Sequence, residues 1–225
     1  MNRATRQKAD SLYLFLATLF ITALIVCNLI ANKFVTVDLG FKIFTISAGV
    51  LPYPITFLIT DILSEIYGRA KTNKVVLMGF FALIFTLFIL WLGSQFPSIV
   101  ASPLSDELYQ RAYGNSWRVI MSSMVAYIVA QLVDVRLFHF WKKMTGGKHL
   151  WLRNNASTIL SQLVDTTLVI LVLFAGELEW SVIGGYIRDG WMFKALVALA
   201  DTPFLYATTW FIRKRLKLKF AQEVN

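Results

Sequence analysis

The sequence predicts an all-α integral membrane protein, a single bundle of six transmembrane helices. Hydrophobic residues make up 57% of the 225 positions and charged residues only 16%, too little polar surface to cover a water-soluble domain of this length. The apolar residues are grouped into six runs, each long enough to cross a bilayer. Short polar segments between the runs hold most of the Lys and Arg. Residues 1–225 are therefore interpreted as one transmembrane domain.

The six apolar runs set the predicted spans. The hydrocarbon core of a bilayer requires about 20 residues per helix. The runs cover residues 11–32, 47–68, 74–94, 117–139, 155–175 and 190–212. The first run follows basic residues, but it is longer than the apolar region of a cleaved signal peptide, so we interpret it as a retained span. Between the first two runs, alternating apolar and polar residues flank a D-L-G-F turn, which predicts a short external β-hairpin.

The distribution of Lys and Arg predicts the orientation of the bundle. Sixteen of these residues lie before the first span, at 69–74, at 136–153 and after the last span, whereas the intervening segments hold five. Because basic residues concentrate in cytoplasmic loops, both termini are predicted to be cytoplasmic. The net charge of +9 follows from this bias, and the basic C-terminal segment is interpreted as stop-transfer charge. No nucleic-acid partner is expected.

Ionisable residues inside the spans point to function. An acid at the centre of a membrane helix costs about 2.5 to 3.5 kcal/mol on insertion, and such residues mark the pathways of solutes and ions. One lysine within the spans cannot neutralise five acids, so the surplus predicts protonation, water or a bound ligand. The residues concerned are Asp61, Glu65, Asp134, Asp165, Asp201 and Lys194.

Helical spacing places the polar residues of four spans on one face of each helix. The members of these stripes are separated by three, four or seven positions. They are Asp61 and Glu65, then Tyr127, Gln131 and Asp134, then Asn155, Thr158, Gln162 and Asp165, and finally Lys194 and Asp201. Because the opposite faces are Leu, Ile, Phe and Val, the stripes are expected to meet at the bundle axis and bind a solute. Hydrogen bonding between helices, worth under about 1 kcal/mol per bond, is the alternative for the amides.

The chain carries no signature of an enzyme or a metalloprotein. The motifs H-E-x-x-H, G-x-S-x-G and G-x-G-D are absent from the sequence. The single cysteine, Cys27, and two histidines outside the predicted site make neither a disulfide framework nor a metal cluster. We therefore expect no catalytic residue, cofactor or bound metal. A small polar solute, whose hydration is replaced by carboxylates and amides, explains the acids best.

Four strings resemble the queuosine precursor transporter family, also called the vitamin uptake transporters. They are T-D-I-L-S-E-I-Y-G at 60–68, A-Q-L-V-D-V at 130–135, H-L-W-L-R-N-N-A-S-T at 149–158 and S-Q-L-V-D-T at 161–166. The resemblance covers nearly the whole chain, including the six spans. It implies an importer of the bacterial inner membrane that takes up 7-deazaguanine bases, preQ0 and preQ1, for the queuosine modification of tRNA.

The predicted site has suitable chemistry for such a base. A guanine-like edge presents an N–H and an amino group side by side, which one carboxylate accepts as a bidentate pair. Gln and Asn amides pair with the ring carbonyl and amino groups, while Tyr127, Phe57 or Trp151 offers a stacking face. Nothing in the sequence decides between preQ0 and preQ1.

Two other kinds of membrane protein are weighed against a self-sufficient carrier. A substrate-binding subunit of an ATP-driven vitamin importer is also a compact bundle, but the A-x-x-x-A motif that such subunits carry in their first span occurs here only at 126–130. A membrane assembly factor would not need five acids within its spans. The expected partners are the deazaguanine solute and the lipid bilayer, and the sequence leaves open whether the chain forms a homo-oligomer.

Overall fold

Long helices make up most of the chain. The computed structural model describes residues 3–31, 33–114, 117–176, 178–219 and 222–224. The helices are α1 (Arg3–Leu29), α2 (Tyr53–Ser94), α3 (Asp106–Tyr109), α4 (Trp117–Met144), α5 (Leu150–Phe174) and α6 (Trp180–Leu216), and the strands are β1 (Phe34–Asp38) and β2 (Ile43–Ser47). Within the described part of the chain, five helices are long and apolar enough to cross a membrane. The protein is therefore a multi-pass membrane protein of all-α class, as the sequence predicted.

Helix α2 is longer than a single span and reverses direction at Gly68. This residue has φ 77° and ψ 171°, a conformation open essentially to glycine alone. Before Gly68, the contacts of the chain with α1 move from Cys27 to Ala9, and after it they move back from Tyr13 to Leu24. The two halves of α2 therefore run antiparallel. The sequence predicted two spans joined by a loop, but that segment is helical, because the reversal needs only one residue at positive φ.

The other long helices extend beyond their predicted spans. Helix α6 begins at Trp180 rather than at residue 190, and α5 begins at Leu150 rather than at 155. Hydropathy detects only the apolar part of a helix, whereas backbone hydrogen bonding continues through polar turns at its ends. The earlier start of α5 has a consequence for the site, because it brings Arg153 into the bundle.

Two antiparallel strands follow α1, in the segment where the sequence predicts a hairpin. Val37 pairs with Phe44 across the strands, and the Asp38 carboxylate accepts a hydrogen bond of 2.8 Å from the backbone N–H of Gly40 in the turn. The Phe44 ring packs against Phe193 of α6, with 5.4 Å between ring centroids. The hairpin thus lies against the first part of α6. Its position outside the membrane stays a prediction.

The segments that are rich in Lys and Arg meet at one end of the bundle, which we call the basic end. Tyr13 of α1 donates a hydrogen bond to the carbonyl of Lys71 just after the reversal in α2. At the same end, Lys142 near the end of α4 and Arg213 near the end of α6 both contact Glu65. The β-hairpin lies at the opposite end. The basic segments alternate with less basic ones along the chain and lie together at one end of the bundle. This is the pattern expected if both termini are cytoplasmic.

The outer surface of the bundle is apolar. Phe81, Phe85, Phe88 and Trp91, all in the second half of α2, are each at least 50% exposed. Large exposed aromatic and aliphatic patches are uncommon on water-soluble monomers. Hydrocarbon is the solvent that suits this surface, which agrees with the assignment of the helices to a membrane.

Candidate functional site

A polar seam runs through the bundle along one side of α5. Nine polar side chains of this helix are buried. They are Arg153, Asn154, Asn155, Ser157, Thr158, Ser161, Gln162, Asp165 and Thr166. Groups from α2, α4 and α6 face them and form three layers, which we call the basic layer, the carboxyl layer and the ion-pair layer. The layers follow one another from the basic end toward the hairpin end.

The basic layer surrounds Glu65 with positive charge. The Glu65 carboxylate lies 2.6 Å from Arg213, 2.9 Å from Arg153 and 3.5 Å from Lys142. Lys142 also contacts Glu223 at 2.8 Å. The distance to Arg153 is that of an ion pair, although its N–H groups are not aligned for hydrogen bonding. The sequence predicted one cation, Lys194, for all five acids, which is wrong for Glu65, because the sequence pattern assigns these three cations to loops and helix ends.

The carboxyl layer contains two acids that face each other. Asp61 and Asp134 are both 0% exposed. Thr158 donates to one oxygen of Asp61 at 3.3 Å, and Ser161 donates to one oxygen of Asp134 at 2.9 Å. The two remaining carboxyl oxygens have no donor among the described residues, and the two carboxyl groups lie within hydrogen-bonding reach of each other. No cation of the described chain forms a salt bridge with either acid.

The ion-pair layer lies nearest the hairpin end. Lys194 contacts one oxygen of Asp165 at 2.6 Å, and the Tyr53 hydroxyl donates to the other at 3.1 Å. The Lys194 ammonium also lies 5.0 Å from the centre of the Tyr53 ring. Beside this pair, Gln162 Oε1 and Thr166 Oγ1 are buried and have no hydrogen-bond partner among the residues described. The two halves of the layer thus differ: Asp165 is paired, whereas its neighbours on α5 are not.

Lys194 pairs with an acid of another helix rather than with the acid of its own predicted stripe. The sequence placed Lys194 and Asp201 on one face of α6, but the structure pairs Lys194 with Asp165 of α5. Asp201 instead lies 3.5 Å from the amide nitrogen of Asn154. Asn155 exchanges hydrogen bonds with a neighbouring threonine of α6, donating at 2.8 Å and accepting at 3.2 Å. Amides of α5 thus join α5 to α6 beside the seam.

The polar stripe predicted on α4 divides between two environments. Gln131 lies on the seam and accepts a hydrogen bond of 3.2 Å from Thr60 of α2. Tyr127, one turn earlier, instead donates to the carbonyl of Val76 at 2.9 Å and packs against the Phe20 ring. Tyr127 therefore belongs to the apolar core between α1, α2 and α4.

Sequence reasoning missed several members of the seam. Arg153 was counted as a loop charge, yet its side chain is 1% exposed. A usable signal was present, because Arg153, Ser157, Ser161 and Asp165 follow one another at steps of four, which is one face of a helix. Tyr53 lies outside the predicted polar stripes, and its bond to Asp165 has no signal in the sequence.

A multi-pass helical bundle with acids buried along its axis is the architecture of a membrane transporter. Residues 47–208 match the family described as "Putative vitamin uptake transporter", and the chain belongs to this family. The resemblance to the queuosine precursor transporter family is thereby confirmed.

Three curated relatives are similar to this chain in sequence. The chain is 31% identical over 164 residues to the "Probable queuosine precursor transporter" of Bacillus subtilis, covering 72% of this chain and 71% of the relative. It is 24% identical over 181 residues to the "Queuosine precursor transporter" of Escherichia coli, covering 74% and 70%. It is 26% identical over 129 residues to the "Probable queuosine precursor transporter" of Haemophilus influenzae, covering 56% and 51%. No solved structure matches the chain.

Proposed function

We propose that this protein imports queuosine precursors, the 7-deazaguanine bases preQ0 and preQ1, across the bacterial inner membrane for the queuosine modification of tRNA. Membership of the family and the names of the relatives support this class of solute. The observation that carries the proposal is the ion-pair layer. There a buried donor and a buried carboxylate lie beside acceptors that have no partner within the described chain.

The ion-pair layer complements the edge of a deazaguanine base. That edge presents a carbonyl acceptor, a ring N–H donor and an amino donor in a row. Lys194 supplies a donor for the carbonyl, and Asp165 supplies acceptors for the two donors. A carboxylate accepts about four hydrogen bonds, and only two positions on Asp165 are taken, by Lys194 and Tyr53. Gln162 offers a further acceptor on the same face of α5.

Aromatic rings provide a surface against which the base can stack. The rings of Tyr53 and Phe57 lie 5.6 Å apart between centroids, in an edge-on arrangement. Tyr53 is half-buried, whereas the two acids of the carboxyl layer are fully buried. Stacking of a base on an aromatic side chain is worth about 1 to 3 kcal/mol. A solute entering from the hairpin end therefore meets the ion-pair layer first.

Five other predicted site residues are assigned to the path between that layer and the cytoplasm, to its closure or to the packing beside it. Gln131, Asn155 and Asp201 are proposed to contact the solute after it leaves the ion-pair layer. Glu65 is proposed to keep the basic end closed, since its oxygens are held by three cations. Tyr127 is proposed to act through its packing against the first helix. Opening of the basic layer then releases the solute.

The basic end and the hairpin end of the bundle indicate the orientation of the importer in the membrane. We assign the basic end to the cytoplasm, because basic residues accumulate on that side of inner-membrane proteins. The two antiparallel halves of α2 then count as two crossings, which makes six in total and leaves both termini inside. The hairpin end faces outward and receives the solute.

Uptake by living cells tests the proposal. Bacterial cells that lack both deazaguanine synthesis and their own transporter are supplied with labelled preQ0 or preQ1, with and without this chain. We expect uptake of label and restored queuosine in tRNA only when the chain is present. The variant Asp165→Asn, matched for abundance in the membrane, is expected to lose this uptake. Cells in which the wild-type chain takes up no more label than the empty control would refute the proposed function.

A further inference from the structure

The carboxyl layer has a property that solute binding does not explain. Glu65 has three cations and Asp165 has one, but Asp61 and Asp134 have none among the described residues. Each of the two acids is completely buried and has one oxygen without a donor. Two carboxylates in contact away from water cannot both be ionised, since like charges repel strongly at low dielectric. A proton or a metal cation must therefore lie between the two acids.

We propose that Asp61 and Asp134 share one exchangeable proton and that this pair is the ion-coupling site of the transporter. The proton is covalently bound to one carboxyl oxygen and hydrogen-bonded to the facing oxygen of the other acid. The hydroxyls of Thr158 and Ser161 donate to the two outer oxygens, so the inner oxygens are left to face each other. On release, the carboxyl O–H bond breaks, both electrons stay on oxygen, and a water molecule accepts the proton.

A proton fits the pair better than a metal ion does. The two carboxyl groups are already within hydrogen-bonding reach of each other. A sodium or calcium ion requires several oxygen ligands around it and separates the two carboxylates. The hydroxyls of Thr158 and Ser161 each lie in position to donate to a carboxyl oxygen of the pair, and donors of this kind suit acids rather than a cation.

The surrounding charges do not neutralise the pair. One turn away on α2, Glu65 engages Arg153 of α5, Arg213 of α6 and Lys142 of α4, so these cations are committed to another carboxylate. On the side of α6, Asp201 adds a further acid near Asp61. Among the described residues, the charged groups nearest the pair are thus either engaged with another carboxylate or negative. A single shared proton removes the repulsion between the two acids.

Helix α5 connects this pair to the solute. Ser161 contacts Asp134, and Asp165 lies four residues further along the same helix, which is about 6 Å. A shift of α5 when a base binds to Gln162 and Asp165 changes the hydroxyl bonds to the carboxyl layer. This step rests on the proposed function, whereas the shared proton itself does not.

Infrared spectroscopy of the purified protein tests the shared proton without any solute. At neutral pH we expect the C=O stretching band of a protonated, buried carboxyl group. The variants Asp61→Asn and Asp134→Asn are each expected to lose one such band, because the new amide donates to the remaining carboxylate in place of the proton. Asp165→Asn is the control, since it removes a carboxyl group that is paired with Lys194 and lies outside the carboxyl layer, and the band should stay. A band that is absent, or unchanged in both carboxyl-layer variants, would overturn the proposal.

Uptake into vesicles tests the coupling. Purified protein in liposomes is given labelled preQ0 under an imposed pH gradient or an imposed sodium gradient. One coupled proton corresponds to about tenfold accumulation per pH unit, and Asp61→Asn is expected to abolish the dependence of uptake on the pH gradient. Uptake that follows sodium, or ignores both gradients, overturns the coupling and leaves the proposed function intact. If the infrared band is present but no base is transported, the proposed function fails together with the coupling, and the shared proton stands.

Discussion

Glu65 and Asp165 are two acids at opposite ends of the polar seam, and their side chains are equally exposed at 4%. Their surroundings differ. Glu65 meets three cations from three helices, whereas Asp165 meets one lysine, one neutral hydroxyl and neighbours that lack partners. Burial alone therefore does not distinguish an acid that holds a membrane protein together from the acid that we propose to bind the solute. The balance of charge and the unpaired acceptors around it do.

The two ends also differ in what they offer a ligand. In the basic layer, positive charge exceeds the single carboxylate of Glu65, and Glu223 of the C-terminal segment takes up part of the excess through Lys142. That layer is committed to contacts within the chain. In the ion-pair layer, buried acceptors on Gln162 and Thr166 have no hydrogen-bond partner among the described residues, and a buried acceptor that stays unpaired costs about 1 to 3 kcal/mol. A native protein keeps such a cost where function needs it.

The largest expected effect is on stability, from Glu65→Gln. This change leaves the buried Arg153 without its counter-ion, and breaking a buried ion pair costs about 3 to 5 kcal/mol. Thermal or denaturant unfolding of the purified protein in detergent measures the loss. The matched control is Glu107→Gln, which breaks an exposed pair with Arg111 and is expected to cost under about 1 kcal/mol. Equal losses in the two variants would contradict the difference between the ends.

The reversal at the basic end is tested by Gly68→Ala. A side chain at φ 77° is strained by about 1 to 3 kcal/mol, and the added Cβ would collide with the carboxylate of Glu223. We expect a clear fall in the unfolding temperature. Gly185→Ala is the control, because it lies within helix α6 with open space around its Cα, and there alanine should stabilise the helix slightly. If Gly68→Ala were as stable as the control, the reversal would not depend on this residue.

A smaller effect separates positioning from stability at the other end. Tyr53→Phe removes the hydroxyl that donates to Asp165 but keeps the ring. One hydrogen bond contributes about 0.5 to 1.5 kcal/mol, so deazaguanine affinity should fall by roughly twofold to tenfold. The control Tyr13→Phe deletes the same kind of bond at the basic end, to the carbonyl of Lys71. It is expected to lower stability by a similar amount with no change in affinity.

The sequence predicted those features that depend on local periodicity. Composition and run length predicted the membrane bundle, and the helical repeat placed Gln162 and Asp165 on one face. The sequence did not predict which residues form contacts between helices. Residues seven apart on a helix lie about 10 Å apart along its axis. Lys194 therefore lies closer to Asp165 on the adjacent helix than to Asp201 on its own helix.

The charged groups at the basic end show a second limit of sequence reasoning. The count of Lys and Arg near span ends assigns these residues to the loops, and Arg153 was therefore placed outside the membrane. In the structure its charge is compensated by Glu65 of another helix, so the residue is buried without a large cost. The spacing of four residues indicates which face of α5 carries Arg153, but neither segment alone indicates that its partner is Glu65.

Binding of a deazaguanine base to Asp165→Asn tests the central claim most directly. The substitution keeps the size of the side chain but replaces an acceptor oxygen with a donor that faces the donors of the base. At matched thermal stability, the purified variant should bind preQ0 or preQ1 about a hundredfold more weakly than the wild-type protein, a loss of about 2 to 3 kcal/mol. Nearly equal affinities would contradict the account, because they would make Asp165 a structural acid like Glu65.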